Sequence, residues 1–190
     1  MLLRLITLVL PVLLLLSACG DDSVVGGDGD GQAPVARLSE NPPPGHEEVG
    51  REFVDVLHGR PQDELWAGSV GLYVAGKLSS TLAPADVADP ARWVGCPGDV
   101  PEYNGRECPV SLLRQVQVLH EDGGALVFED QVPEVVGCDL VRAPPGVDGS
   151  DTVTIRPDVD HRSCFSDFAI TLYLDDRGRL GTVAVTISGP

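Results

Sequence analysis

Apolar residues in 47–58 recur at helical spacing, with Val49, Phe53, Val56 and Leu57 on one face. Glu47 and Glu48 stand in the first turn, where the positive end of a helix favours carboxylates, and Gly59 marks the stop. Pro61 suits the first position of a second helix. Residues 62–82 carry Leu65, Trp66, Val70, Leu72, Tyr73 and Leu78. They read as one broken helix or two short ones, weakened by Gly68, Gly71 and Gly76. A further short helical stretch begins at Pro84 and runs through Trp93.

From Val110 the period changes to two. Residues 111–121 read as a strand with Leu112, Val116 and Val118 on one face, closed by the turn Glu121-Asp122-Gly123-Gly124. Residues 125–132 and 135–142 form one long strand or two, interrupted by Pro133, and 144–149 is a Pro/Gly loop before a short strand over 152–156. The last hairpin is the clearest element. Phe168, Ile170, Leu172 and Leu174 alternate with Asp167, Ala169, Thr171 and Tyr173; the turn is Asp175-Asp176-Arg177-Gly178; Val183, Val185 and Ile187 alternate with Thr182, Ala184 and Thr186. Helices first and strands after predict an α+β domain, with N-terminal helices packed on a curved antiparallel sheet.

The N-terminal pattern is different in kind. Residues 1–18 hold one charged side chain, Arg4, followed by an apolar run from Leu5 to Leu16 that is interrupted by Pro11. The run has the length of a signal-peptide core and falls short of the ~20 residues that span a bilayer. It ends in Leu16-Ser17-Ala18-Cys19, which resembles the lipobox of bacterial lipoproteins. That resemblance implies cleavage before Cys19 and a diacylglyceryl group on its thiol. Two acyl chains are about what stable anchoring takes. It also implies a location on the extracytoplasmic face of the cell membrane. Residues 19–45, rich in Gly, Asp, Ser and Pro, bury too little apolar surface to fold and read as a flexible tether. Within them, Asp28-Gly29-Asp30-Gly31 lacks the further ligands and closing Glu of a calcium loop. The chain thus divides into a signal at 1–18, a tether at 19–45 and a domain at 46–190.

Composition sharpens this picture. With residues 1–18 set aside, 12 basic side chains face 29 acidic ones, a net of −17. Such a surface repels phosphate backbones, so no nucleic-acid partner is expected. Besides Cys19 the chain has Cys96, Cys108, Cys138 and Cys164, an even number in an exported chain, which predicts disulfides. Of the three pairings, Cys96–Cys108 and Cys138–Cys164 are favoured, because the first closes the Pro/Gly-rich loop CPGDVPEYNGREC and the second ties a strand end to a later strand. No C-x-x-C pair points to zinc, and no metal or cofactor is expected.

The stretches Phe53–Leu57 with HGRPQDELW, LSSTLAPADVADPARWV and FAITLYLDDRGRLGTVAVTI together resemble the NTF2-like (cystatin-like cone) domains of many bacterial lipoproteins. The likeness covers roughly residues 46–188 and rests on element order and hydrophobic pattern. It implies a cone with an apolar mouth between helices and sheet, used in different members for catalysis, small-molecule binding or protein interaction. An insertion around Cys96 and Cys108 departs from the pattern and would cover or narrow that mouth.

Catalytic readings find little to hold. Ala67-Gly68-Ser69-Val70-Gly71 comes near a nucleophile elbow, but it sits in the stretch read as helix, with no preceding strand. Asp158, Asp160 and His161 read as a solvated loop; His58 reads as a helix C-terminal residue and His120 as a strand end. Trp66, Tyr73, Trp93 and Tyr173 are assigned to the core, and Lys77 has no S-x-x-K partner. The sequence therefore predicts a non-catalytic, lipid-anchored binding or interaction module of the envelope. The alternatives are a carrier or sensor of a small apolar ligand, in a pocket lined by Val116, Val118, Ile170 and Leu172, or an NTF2-like isomerase or hydrolase.

Overall fold

Helix α1 spans His46–Leu57 and buries Val49, Phe53, Val56 and Leu57, the stripe expected from their spacing. It opens the part of the chain that a computed structural model describes: residues 45–158, 164–165 and 167–189. The lipobox, the Asp28–Gly31 run and Asp160 with His161 lie outside these residues.

The next segment corrects the expected second helix. Residues 62–82 fold as a 3₁₀ turn at Asp63–Leu65 and then a hairpin, β1 (Trp66–Val74) and β2 (Lys77–Leu82). Val70, Leu72 and Val74 are buried at alternate positions, a period of two that Gly71 and Tyr73 between them obscure. The turn Val74-Ala75-Gly76-Lys77 has φ of 49° at Ala75 and 76° at Gly76, the conformation of a two-residue type I′ hairpin. The glycine is required twice over, since a Cβ there would also meet Arg142 Cβ at 2.7 Å. Instead of a helix after Pro84 there are turns and one 3₁₀ turn, Pro90–Arg92, where Asp89 accepts from the Ala91 N–H at 3.0 Å.

Short pairs follow: β3 (Val94–Gly95) with β6 (Val110–Ser111), and the hairpin β4 (Glu102–Tyr103) with β5 (Arg106–Glu107). Residues 111–121 are then the second correction. They form helix α2 (Leu112–Glu121), not a strand. Ser111 is its N-cap, the hydroxyl accepting from the Arg114 N–H at 3.3 Å, and Leu112, Val116 and Leu119 supply an i, i+4, i+7 stripe. The Gly123-Gly124 turn accordingly joins a helix to β7 (Ala125–Glu129) rather than two strands. A small hairpin of β8 (Val135–Val136) and β9 (Asp139–Leu140) precedes β10 (Asp151–Asp158), β11 (Phe168–Leu174) and β12 (Leu180–Ile187).

The main sheet has the order β2-β1-β12-β11-β10-β7. Four of its five pairs are antiparallel, but β1 runs parallel to β12, so the sheet is mixed where an antiparallel one was expected. One face carries Leu72, Val153, Ile155, Ile170, Leu172, Val183 and Val185 and joins α1 in the apolar core. Trp93 fills that core: its ring meets Phe53 edge-on at 4.9 Å, Trp66 stacks on it at 5.8 Å, and its Nε1–H donates to the Val87 carbonyl at 2.9 Å.

The other face bears Thr154, Thr171, Ala169, Ala184 and Thr186, and these are buried as well. The two small hairpins are fastened to the strand ends there. Asn104 Nδ2 donates to the Ile187 carbonyl at 2.6 Å and to Asp139 Oδ2 at 3.1 Å, while Arg106 Nη1 donates to the Ser188 carbonyl at 2.8 Å. The cysteines pair as favoured, with Cα–Cα distances of 5.9 Å for Cys96–Cys108 and 4.9 Å for Cys138–Cys164.

Candidate functional site

A second stripe on α1, beside the core stripe, consists of Arg51, Val54, Asp55 and His58, at spacings of three and four residues. Val116, Leu119 and His120 form a matching stripe on α2. With Leu126 and Phe128 of β7 these two stripes enclose an open cleft of about 700 Å³. Val54, Val116, Leu119, Leu126 and Phe128 of its lining are partly or wholly buried, whereas Arg51, His58 and His120 are exposed.

Local packing fixes these groups. Gly50 lets the Phe128 ring lie against α1, since a Cβ there would come within 2.3 Å of Phe128 Cδ1. The Arg51 guanidinium sits over that ring, 5.1 Å from its centroid, and donates to Glu47 Oε1 from Nε at 3.1 Å and Nη2 at 2.5 Å. Asp55 is engaged by Arg60. His58 donates from Nδ1 to the Val54 carbonyl at 2.8 Å, which leaves Nε2 with the lone pair in the neutral ring. His120 occupies the last turn of α2. Outside the cleft, on the same helix, the Glu52 carboxyl is held above its ordinary range, first by partial burial and then by repulsion from Glu48, Glu64 and Asp55.

Val116, Val118, Ile170 and Leu172, expected to line one pocket, are divided among different places. Val116 lines the α1–α2 cleft, but Val118 belongs to a second cleft of about 670 Å³ on the other side of α2, with Phe165 and Phe168. Ile170 and Leu172 are wholly buried in the sheet core. The cause is the helix: residues two apart share a strand face but point to different sides of a helix.

Ser69 is exposed on β1, within a strand rather than a helix, and the hairpin partner β2 follows it where an elbow needs a helix. His58 stands at the helix end as expected, whereas His120 ends a helix and not a strand. Trp93 is a core residue and Trp66 packs partly buried against it; Tyr173 is buried on the opposite sheet face, and Tyr73 is half-buried. Asp158 is exposed at the end of β10. Among the described residues no group of three or more metal-ligating side chains converges, and no helix is long and apolar enough to cross a membrane.

No family model, curated protein or solved structure matches the chain. Arg51, Val54, Asp55, Leu119, Leu126 and Phe128 line the cleft without having been singled out by the sequence pattern. Residues 112–119 held the signal, since Leu112, Val116 and Leu119 fit a helix after the capping Ser111. With α2 in place, the second stripe of α1 acquires an opposing wall.

Proposed function

We propose that this chain is a lipid-anchored, extracytoplasmic protein of the bacterial envelope whose domain is a non-catalytic binding module. The observation that carries the reading is the cysteine pattern. All four cysteines of the domain stand in pairs, which leaves Cys19, the last residue of Leu16-Ser17-Ala18-Cys19, as the one thiol without a partner cysteine. Disulfides persist in oxidising compartments, and a single thiol after a signal-like segment is the acceptor that a lipid anchor needs.

An NTF2-like cone belongs to the same proposal. A leading helix on one sheet face and a long closing hairpin, β11–β12, support it; the parallel β1–β12 pair is a departure from it. Carriage of a small ligand is the second reading. It is favoured by the α1–α2 cleft, whose 700 Å³ falls in the range of roughly 300–1,000 Å³ typical of ligand pockets.

Native mass spectrometry of the protein extracted from its own envelope in mild detergent tests the module. A lipidated chain with a co-purifying polypeptide is the expected result, and a reproducible small-mass adduct would select the carrier reading. An unlipidated chain with free thiols would overturn both.

A further inference from the structure

We propose that the α1–α2 cleft binds a small organic monocarboxylate with an apolar body. The assignment rests on the second reading, carriage of a small ligand in this cleft, and names the ligand class for that site. Charge complementarity points to it. In a chain of net charge −16, this cleft gathers Arg51 and two of the four histidines, His58 and His120. Among the described residues, the one carboxylate in its lining, Asp55, is already held by Arg60.

The cation is presented for exchange. Arg51 and Glu47 are each 65% exposed, and an ion pair in that setting is weak, so an incoming carboxylate can take the place of Glu47. The guanidinium's seat on Phe128, a residue of the same lining, sets a cation against an apolar wall, so a ligand's acid group and hydrocarbon body are met at the same time. In the neutral ring the Nδ1–H of His58 is committed to the Val54 carbonyl and Nε2 is an acceptor, so the contact to the ligand's acid group is assigned to Arg51 alone. A bare inorganic anion would leave the wall of Val54, Val116, Leu126 and Phe128 uncovered, and a neutral hydrocarbon would leave Arg51 with Glu47.

The test uses the full lipidated chain in nanodiscs, dialysed to equilibrium against 4-phenylbutyrate, with empty nanodiscs as reference and 4-phenylbutanol as the uncharged analogue. Saturable one-to-one binding of the acid is expected, with the alcohol and the Arg51→Ala variant each weaker by about tenfold, the loss of one charge-assisted contact. Glu47→Ala, which frees the guanidinium, should bind at least as tightly as the parent. Equal binding of acid and alcohol, binding indifferent to Arg51, or none above empty nanodiscs would overturn the assignment. So would a polypeptide that Arg51→Ala releases from a chain that does not bind the acid. An intact mass taken on the same sample separates this from the broader reading: a lipidated, disulfide-paired chain that ignores the acid removes the ligand class and leaves the anchored module standing.

Discussion

Arg156 and Asp167 face each other at 2.9 Å, Nη2 to Oδ2, with both side chains only 1% exposed. Asp167 Oδ2 also accepts from the Gly137 N–H at 2.8 Å, so one carboxylate joins strand β10 to the β8–β9 hairpin. The Ser188 hydroxyl closes the arrangement, accepting from the Asp167 N–H and donating to its carbonyl. Removing Arg156 strands the buried Asp167 carboxylate, and removing Asp167 leaves the buried guanidinium with the more distant Glu129 carboxylate at 3.8 Å. Arg156→Ala or Asp167→Ala should each cost about 3–5 kcal/mol, whereas Arg156→Met with Asp167→Leu should cost far less than the two added. Urea unfolding of the four proteins checks this, and strictly additive losses would contradict it.

The two disulfides should contribute unequally. Cys138 and Cys164 are 26 residues apart, Cys96 and Cys108 only 12. Chain entropy assigns about 2–4 kcal/mol to each and about 0.7 kcal/mol more to the longer loop. The Cys138→Ser/Cys164→Ser variant should therefore unfold at lower urea than Cys96→Ser/Cys108→Ser, and the reverse order would count against this account.

The β1–β2 turn places Ala75 at a φ of 49°, a region that asparagine tolerates better than alanine. Ala75→Asn should stabilise the domain by about 0.5–1 kcal/mol, seen as a rise in Tm of a few degrees. Gly76→Ala should destabilise it, because the added methyl group meets both an unfavourable φ and Arg142.

Two carboxylates should give opposite pH signatures. Partial desolvation of Asp175 acts to raise its pKa, but it is outweighed by the N–H groups of Arg179 and Arg177 and by the Arg179 side chain, which hold the carboxyl below its ordinary range. A depressed acid contributes stability above its unfolded value, about 4, and loses it as the pH falls through the folded value. Asp175→Asn should thus lower Tm at neutral pH and converge on the parent in acid below that point. Glu52 is raised, so its protonated form favours folding and that contribution is lost as the pH rises through its folded value. Glu52→Gln should raise Tm at neutral pH and make little difference below about pH 4. Melting curves between pH 3 and 8 check both signs.

Legibility followed the strength of local signals. Helix α1 and the β11–β12 hairpin were readable because one period dominates each of them, and the four cysteines because loop composition favoured one pairing. The β1–β2 hairpin was not, because Gly68, Gly71 and Gly76 look like helix defects when Val70, Leu72 and Val74 are not singled out as a period of two. Helix α2 was misread because Leu112, Val116 and Val118 fit a strand as well as Leu112, Val116 and Leu119 fit a helix; the capping hydroxyl of Ser111 distinguishes them. Asn104-Gly105, a strong hairpin dipeptide, sat unread inside the cysteine loop, with positive φ at both residues. The Arg156–Asp167 pair had no sequence signature, since only the fold brings a strand end and a strand start together.

The anchored, oxidised state is the central claim, and the intact mass of the chain purified from the membranes of its own cells tests it most directly. The account predicts a polypeptide beginning at Cys19, heavier by a diacylglyceryl group and lighter by four hydrogens for two disulfides. A chain that retains residues 1–18, or that carries no lipid and alkylates at Cys96, Cys108, Cys138 and Cys164 without reduction, would contradict it.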